Sequence, residues 1–378
     1  MQTSKRNLVF IRFYLDAVGC SVVSWGGLFL CWLRSQFGRE RDSFKKIVVV
    51  QNGHLGDIIL TLPLIDGLKL KYPESEICLL TSEAGAVAAA AFFNDVRVIK
   101  YKAGKMSTGN GDDSPLPDFS EFQLIVHLRG DIRLLWRYFV NIRAFFLYGL
   151  PQKNKLRWAP LFLLGIPVPW QRGREEHQFQ TFKNIAAKLG ISLDNPKIAI
   201  RKEWRDSLIS VLGEDILKGE GFAVFHPGAP WEYRRWPSDC FSDTAAKLSA
   251  EYNMKVFVVG AIGEKSIVDA ICRNAPSAIN LAGKLDIKQL AALFAACRIY
   301  IGNDSGPAHL AAAVGAKIVA LYGPQEPGLF GVLAERSHKI KESCFCSPCW
   351  QHICLFDGKN CMSKITSENV MASARKLL

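Results

Sequence analysis

Asp304, Ser305 and His309 crowd one short stretch, Ile299-Tyr300-Ile301-Gly302-Asn303-Asp304-Ser305-Gly306-Pro307-Ala308-His309-Leu310. What they can do depends on the backbone between them. The residue types predict a strand over 298–301, a tight glycine turn over 302–306 and a helix from Pro307. Proline suits a first helical turn, where its missing N–H costs nothing, and residues 308–314 are strong helix formers. A turn of this kind aims backbone N–H groups and a helix dipole at one point, which suits a phosphate. A second glycine turn, Gly53-His54-Leu55-Gly56-Asp57, follows the strand-like run KIVVVQN (46–52) and precedes a helix expected over 58–71. Its spacing is G-x-x-G, which is not the G-x-G-x-x-G dinucleotide fingerprint. Nine basic residues between 129 and 174, among them Arg129 and Arg133, stand against Asp131 alone. Arginine clusters suit bidentate binding of phosphate or carboxylate, and they equally suit a solvated basic face. Cys344, Cys346, Cys349, Cys354 and Cys361 bring five thiols into one short tail. Four thiolates suffice for a structural zinc. The alternative is a set of buried thiols, because the tail lacks a clean pair of C-x-x-C motifs.

These turns need sheets to hold them. Strand-like runs recur at 76–81, 96–100 and 122–127, and again at 222–225, 255–260, 278–281, 298–301 and 317–322, with helical stretches between. Strands alternating with helices predict parallel sheets. Two such blocks are expected, joined by a bridge over 197–220, each with a glycine turn at a strand's carboxyl end, where open α/β sheets bind ligands. The Gly-, Asp-, Ser- and Pro-rich stretch 105–117 reads as a loop.

The chain has 378 residues, 49% of them hydrophobic and 22% charged, enough for two globular domains. Its net charge of +12 points to an anionic partner. No zinc-finger pairing, RNP-like signature or basic helix appears, so a membrane surface and an acidic substrate fit better than nucleic acid. Eleven scattered cysteines fit a reducing compartment, not a small disulfide scaffold. Residues 17–33 carry no charge, the short limit for a spanning helix. A spanning helix, a helix lying in the interface and an extra helix packed on the body all fit this run. The basic residues after it place the body on the cytoplasmic side in either membrane reading.

Taken together, GHLGDIILTLPLIDGLK (53–69), FQLIVHLRGDIR (122–133), HPGAPWEYRRWP (226–237), the segment 280–327 containing GNDSGPAHL, and CM-x-x-I-T (361–366) resemble glycosyltransferase family 9, the ADP-heptose:lipopolysaccharide heptosyltransferases. The resemblance covers about 46–375. It implies a GT-B architecture, an α/β fold of two Rossmann-like domains with parallel sheets facing across a cleft. It divides the chain into a membrane-associating segment (1–45), an acceptor domain (46–215) and a nucleotide-sugar domain (216–378).

The resemblance further implies an inverting transferase that needs no metal or other cofactor for its chemistry. The donor would be a nucleotide sugar, ADP-heptose by the family's pattern, and the acceptor a lipopolysaccharide-type glycolipid. The enzyme would work on the cytoplasmic face of the inner membrane. Asp57 falls on the family's catalytic aspartate. Asp304, Ser305, Gly306, His309 and a basic residue before the W-P, Arg234 or Arg235, fall on the donor-phosphate positions. Glu264 falls near the ribose, and Lys284 and Leu285 near the base. Arg129 and Arg133 would face an anionic acceptor. Three features depart from the family pattern: the apolar N-terminus, the Arg234-Arg235 pair and the cysteine tail. Rival readings are a sugar-nucleotide epimerase of similar architecture and a noncatalytic, membrane-associated nucleotide-binding protein.

Overall fold

A computed structural model describes residues 43–101, 118–129, 176–214, 221–344, 346–347, 354 and 360–378, together with the backbone of 145–148 and 166–167. The uncharged run 17–33, Arg133 and Cys349 lie outside the described residues. No helix among the described residues is long and apolar enough to cross a membrane.

The first block opens with β1 (Lys46–Gln51), α1 (Leu55–Lys71), β2 (Glu76–Thr81), α2 (Glu83–Phe92) and β3 (Arg97–Lys100). It continues with β4 (Leu124–Arg129), β5 (Phe145–Tyr148), β6 (Ile166–Pro167) and α3 (Gln178–Lys188). Its strands lie in the order β3-β2-β1-β4-β5-β6, and every pairing is parallel. β1 is central, so both of its faces are covered. That is why KIVVVQ reads as a continuous β-branched run and not as an alternation.

After α4 (Lys202–Leu212), the second block runs β7 (Phe222–His226), α5 (Ser238–Tyr252), β8 (Lys255–Val258), α6 (Lys265–Asn274), β9 (Ala278–Asn280) and α7 (Ile287–Ala296). It closes with β10 (Ile299–Asn303), α8 (Gly306–Ala313), β11 (Ile318–Tyr322), α9 (Pro327–Phe330), β12 (Ser337–Lys341) and α10 (Ser367–Leu377). The order β12-β11-β10-β7-β8-β9 is the first sheet's order read from its other edge, again all parallel. Both sheets are therefore Rossmann-like. Each has a switch point where successive connections leave in opposite directions, between β1 and β4 and between β7 and β10.

The two lobes share one apolar core. A single cluster runs from Ile47, Ile58 and Leu124 to Phe222, Leu310 and Tyr322. α1 and α8 lie against each other inside it. The bridge reinforces this contact: Ile198 donates its N–H to Ala313 O at 2.8 Å, and Ser207 on α4 meets Gln289 on α7 at 2.9 Å. A second cluster, under α5, α6 and α10, fills the outer face of the second sheet.

The elements differ from expectation at two boundaries and in three strands. α1 begins at Leu55, three residues before the expected start, because Asp57 accepts the His54 N–H at 3.0 Å and closes a first turn. Gly302 belongs to β10, since its strand neighbours on β7 and β11 keep it paired. β5, β6 and β12 were not anticipated: the first two fall in the stretch 129–174 that was read for its basic residues, and SHKIK is a polar edge strand without apolar alternation.

Candidate active site

Asp57 stands in the first turn of α1, just past the end of β1. Its carboxylate is bound from two sides. The His54 N–H reaches Oδ2 at 3.0 Å. Arg129, the last residue of β4, sets one guanidinium nitrogen 3.0 Å from Oδ1 and 3.2 Å from Oδ2. β1 and β4 flank the switch point of the first sheet, so the topology itself brings these two residues together. The Asp57 side chain is 14% exposed and that of Arg129 55%. Arg129 thus keeps accessible donors for another anion while it orients the carboxylate.

The second switch point carries the second half of the site. Asn303, fully buried at the end of β10, accepts the Trp236 N–H at 3.1 Å and donates to Pro227 O at 2.7 Å. One side chain therefore ties the loop after β7 to the turn before α8. Ser305 is the N-cap of α8, with Gly306 and Pro307 opening the helix. Arg234 sits in a short 3₁₀ turn, 3.4 Å from Asp304 Oδ2. Arg235 instead turns inward, its Nε donating to Ala229 O at 3.1 Å. The two arginines that looked equivalent in sequence are thus separated: Arg234 faces the turn and Arg235 braces its own loop.

Glu264 follows the exit of β8. Its Oε2 accepts the Ala261 N–H at 2.8 Å and lies 3.5 Å from His226 Nε2. A Cβ on Gly228 would fall 1.8 Å from Glu264 Oε1, so only glycine lets this carboxylate lie over the loop. Burial pushes the Glu264 carboxyl up, but His226, the Ala261 amide and Arg235 together outweigh it and hold it below its ordinary value. Lys284 is exposed and Leu285 half-buried, on a turn held to the segment just after β8 by Gly283 N–H to Gly260 O at 2.8 Å.

Burial shifts the protonation of Asp304 and His309. Burial pushes Asp304 up to about 6, with Arg234 pulling the other way. Burial, with His177 and Lys339 adding to it, pushes His309 down to about 4 against the pull of Asp57. At neutral pH His309 is a neutral donor, not a cation. For Asp304 the native carboxyl holds its proton more tightly than the unfolded one, so stability falls as pH rises from about 4 to about 6. Asp304→Asn is therefore expected to stabilise the fold at pH 8 by about 2–3 kcal/mol and hardly at all at pH 4. Thermal unfolding at the two pH values checks this, and an equal shift at both would contradict it.

The halves meet at glycine. A Cβ on Gly56 would lie 2.8 Å from His309 Cδ2 and 3.4 Å from Gly306 Cα, and one on Gly306 would lie 3.0 Å from Leu55 Cβ. The N-termini of α1 and α8 thus abut, with Asp57 on one and Ser305 on the other. Asp57, Arg129, Arg234, Asp304, Ser305, Gly306 and His309 belong to this one region, and Glu264, Lys284 and Leu285 continue along the carboxyl edge of the second sheet. His226 and Asn303 were not singled out from sequence. Their signal is a polar residue ending a strand that is otherwise fully buried. Trp236 is a core residue, packed edge-on to Phe241 with ring centroids 4.8 Å apart and donating from Nε1 to Ile365 O at 2.8 Å. Among the described residues no group of three His, Cys, Asp or Glu side chains converges as metal ligands would.

The chain matches the model of glycosyltransferase family 9 (heptosyltransferase) over residues 152–360, more than half its length. It is 27% identical over 213 residues to a lipooligosaccharide heptosyltransferase 2 of Campylobacter jejuni, an alignment covering 54% of this chain and 65% of that protein. The chain thus spans just under two thirds of that curated relative. Its fold is similar to that of a family 9 glycosyl transferase from Veillonella parvula, with TM-score 0.67, 23% identity and coverage of 89% and 97% of the two chains. The structure of the E. coli ADP-heptose lps heptosyltransferase II is also similar, with TM-score 0.65, 19% identity and coverage of 88% and 98%. On the family match, over a site whose two halves join at the switch points of two Rossmann-like sheets, this chain belongs to glycosyltransferase family 9.

Proposed function

We propose that the protein is an inverting glycosyltransferase that moves heptose from ADP-heptose to a lipopolysaccharide-type acceptor. The observation that carries this reading is the contact of Gly56 with Gly306 and His309, which sets a carboxylate beside a helix N-terminus suited to phosphate. In the transfer, an acceptor hydroxyl attacks the anomeric carbon and gives its proton to Asp57. A new C–O bond forms on one face as the bond to the diphosphate breaks on the other, so configuration inverts. Negative charge gathers on the departing nucleoside diphosphate. The α8 N-terminus, the Ser305 hydroxyl and Arg234 are the groups placed to stabilise it. Neutral His309 adds a hydrogen bond without competing for the Asp57 charge. Arg129 orients Asp57 and offers its remaining donors to an anionic acceptor.

Incubating the protein with a panel of nucleotide sugars, with and without a lipopolysaccharide core acceptor, tests this. Nucleoside diphosphate release that requires both ADP-heptose and acceptor supports the reading, and persists in EDTA. Epimerised nucleotide sugar with no acceptor requirement would replace it by an epimerase.

The acceptor's place is a membrane, and the sequence before the first sheet fits one. Within residues 1–46, eight basic residues stand against three acidic ones, around the uncharged run 17–33. Each cation near an anionic leaflet adds on the order of 1 kcal/mol, and burial of apolar side chains adds about 0.8 kcal/mol per CH₂. Deleting residues 1–40 is expected to move the protein from the membrane to the soluble fraction while turnover of a soluble acceptor fragment survives. Full sedimentation of the deleted form with membranes would remove this segment as the anchor.

A further inference from the structure

His226 lies between two groups assigned to opposite ends of the donor. It ends β7 and is 4% exposed. Its Nδ1 is 3.2 Å from Ser305 Oγ, and its Nε2 is 3.5 Å from Glu264 Oε2. Ser305 Oγ is also 3.1 Å from Asn303 O, to which only the hydroxyl proton can be given. A serine hydroxyl has one proton. When that proton points to Asn303 O, or to a phosphate, Oγ is left as an acceptor and Nδ1–H is the donor that fills it. The Glu264 carboxylate, an acceptor only, faces the other nitrogen, so both partners are served at once only when both ring nitrogens carry hydrogen. Neither end of the imidazole is therefore placed by chance.

We propose that His226 is a positioning residue that braces both ends of the donor site, Ser305 at the phosphate end through Nδ1 and Glu264 at the ribose end through Nε2, each nitrogen serving its own end. This inference rests on the donor-binding reading above. Supporting Oγ from behind frees the Ser305 proton to turn from Asn303 O to a phosphate oxygen, while Nε2 holds Glu264 against the Gly228 backbone. Other charged groups facing this chain are Arg235, which acts on Glu264, and the Arg234–Asp304 pair beside Ser305. The Tyr300 hydroxyl, buried beneath the same turn, is drawn toward its neutral form by burial and touches the site from β10.

The two nitrogens can be separated by substitution. In His226→Asn the side-chain amide takes the place of Nδ1 and cannot reach Glu264. In His226→Gln it takes the place of Nε2 and misses Ser305. Binding of ADP, adenosine and inorganic pyrophosphate is measured for each by competition against a fluorescent ADP analogue. His226→Asn is expected to keep pyrophosphate affinity and lose adenosine affinity by about tenfold, one charged hydrogen bond's worth. His226→Gln is expected to show the reverse. In the wild-type chain, selective ¹⁵N-histidine labelling adds a readout that needs no variant: pyrophosphate should shift the Nδ1 resonance of His226 and adenosine the Nε2 resonance. The same pattern of losses in the two variants, wild-type affinities in both, or a His226 spectrum unmoved by ADP would overturn this assignment of the two nitrogens. If the wild-type chain binds no ADP, the donor reading falls and the positioning role with it.

Discussion

Asp57→Asn is expected to lower kcat by on the order of 10²–10⁴ while affinity for the nucleoside diphosphate stays near wild type. The magnitude separates two roles for one carboxylate. As a cap, Asp57 accepts the His54 N–H at 3.0 Å, an interaction worth about 1 kcal/mol. Asparagine retains it through its amide oxygen. As a base, Asp57 takes a proton in the transition state, and asparagine cannot. A loss of 10²–10⁴ corresponds to about 3–5 kcal/mol of barrier, beyond what a helix cap supplies. The lost ion pair with Arg129, whose side chain is 55% exposed, contributes at most about 1 kcal/mol to stability. Thermal unfolding close to wild type, with turnover nearly abolished, is the expected pair of results. Turnover close to normal in a folded Asp57→Asn protein would take the base role from this residue.

The sequence showed the sheets because their central strands are covered on both faces. KIVVVQ, EICLLT, FAVFH and IVALY are apolar without alternation, the mark of parallel strands between helices. The polar edge strand β12 carries no such mark. The glycine turns announced themselves by spacing, so Asp57, Asp304, Ser305 and His309 could be named before their positions were known. What stayed hidden was pairing across long separations. Asp57 and Arg129 are 72 residues apart, and His226 and Ser305 are 79 apart. Each pair is joined only when a sheet's strand order reverses at its switch point. Arg234 and Arg235 could not be separated from sequence either, because Arg234 ends a 3₁₀ turn and Arg235 leaves it in extended conformation, so their side chains meet different surroundings. Only the fold shows that one meets Asp304 while the other binds a carbonyl of its own loop.

Gly56→Val is expected to reduce kcat by about 10²-fold with the fold and donor affinity largely kept, the loss that a misplacement of about 1 Å can cause. Gly56 lies in the first turn of α1, and its φ lies outside the left-handed region, so the backbone itself accepts a side chain. The obstacle is across the lobes. Even the first carbon would stand 2.8 Å from His309 Cδ2 and 3.4 Å from Gly306 Cα, and valine adds two methyl groups beyond it. Close-packed interiors do not yield such space without moving an element. The element that moves is α1 relative to α8, which carries Asp57 away from the α8 N-terminus. Donor binding should change less, because His226, Arg234, Glu264, Asp304 and Ser305 all belong to the second lobe and, of the donor groups, the new side chain presses mainly on His309. The signature is therefore a fall in kcat with a near-constant dissociation constant for ADP. Gly56→Ala should sit between wild type and valine, since its one carbon, 2.8 Å from His309 Cδ2, forces a shift but adds no methyl groups beyond it. If Gly56→Val turns over as wild type does, the close approach of the two helix N-termini is not what aligns the base with the sugar. If instead ADP affinity falls as steeply as kcat, the N-terminus of α1 is itself part of the diphosphate site.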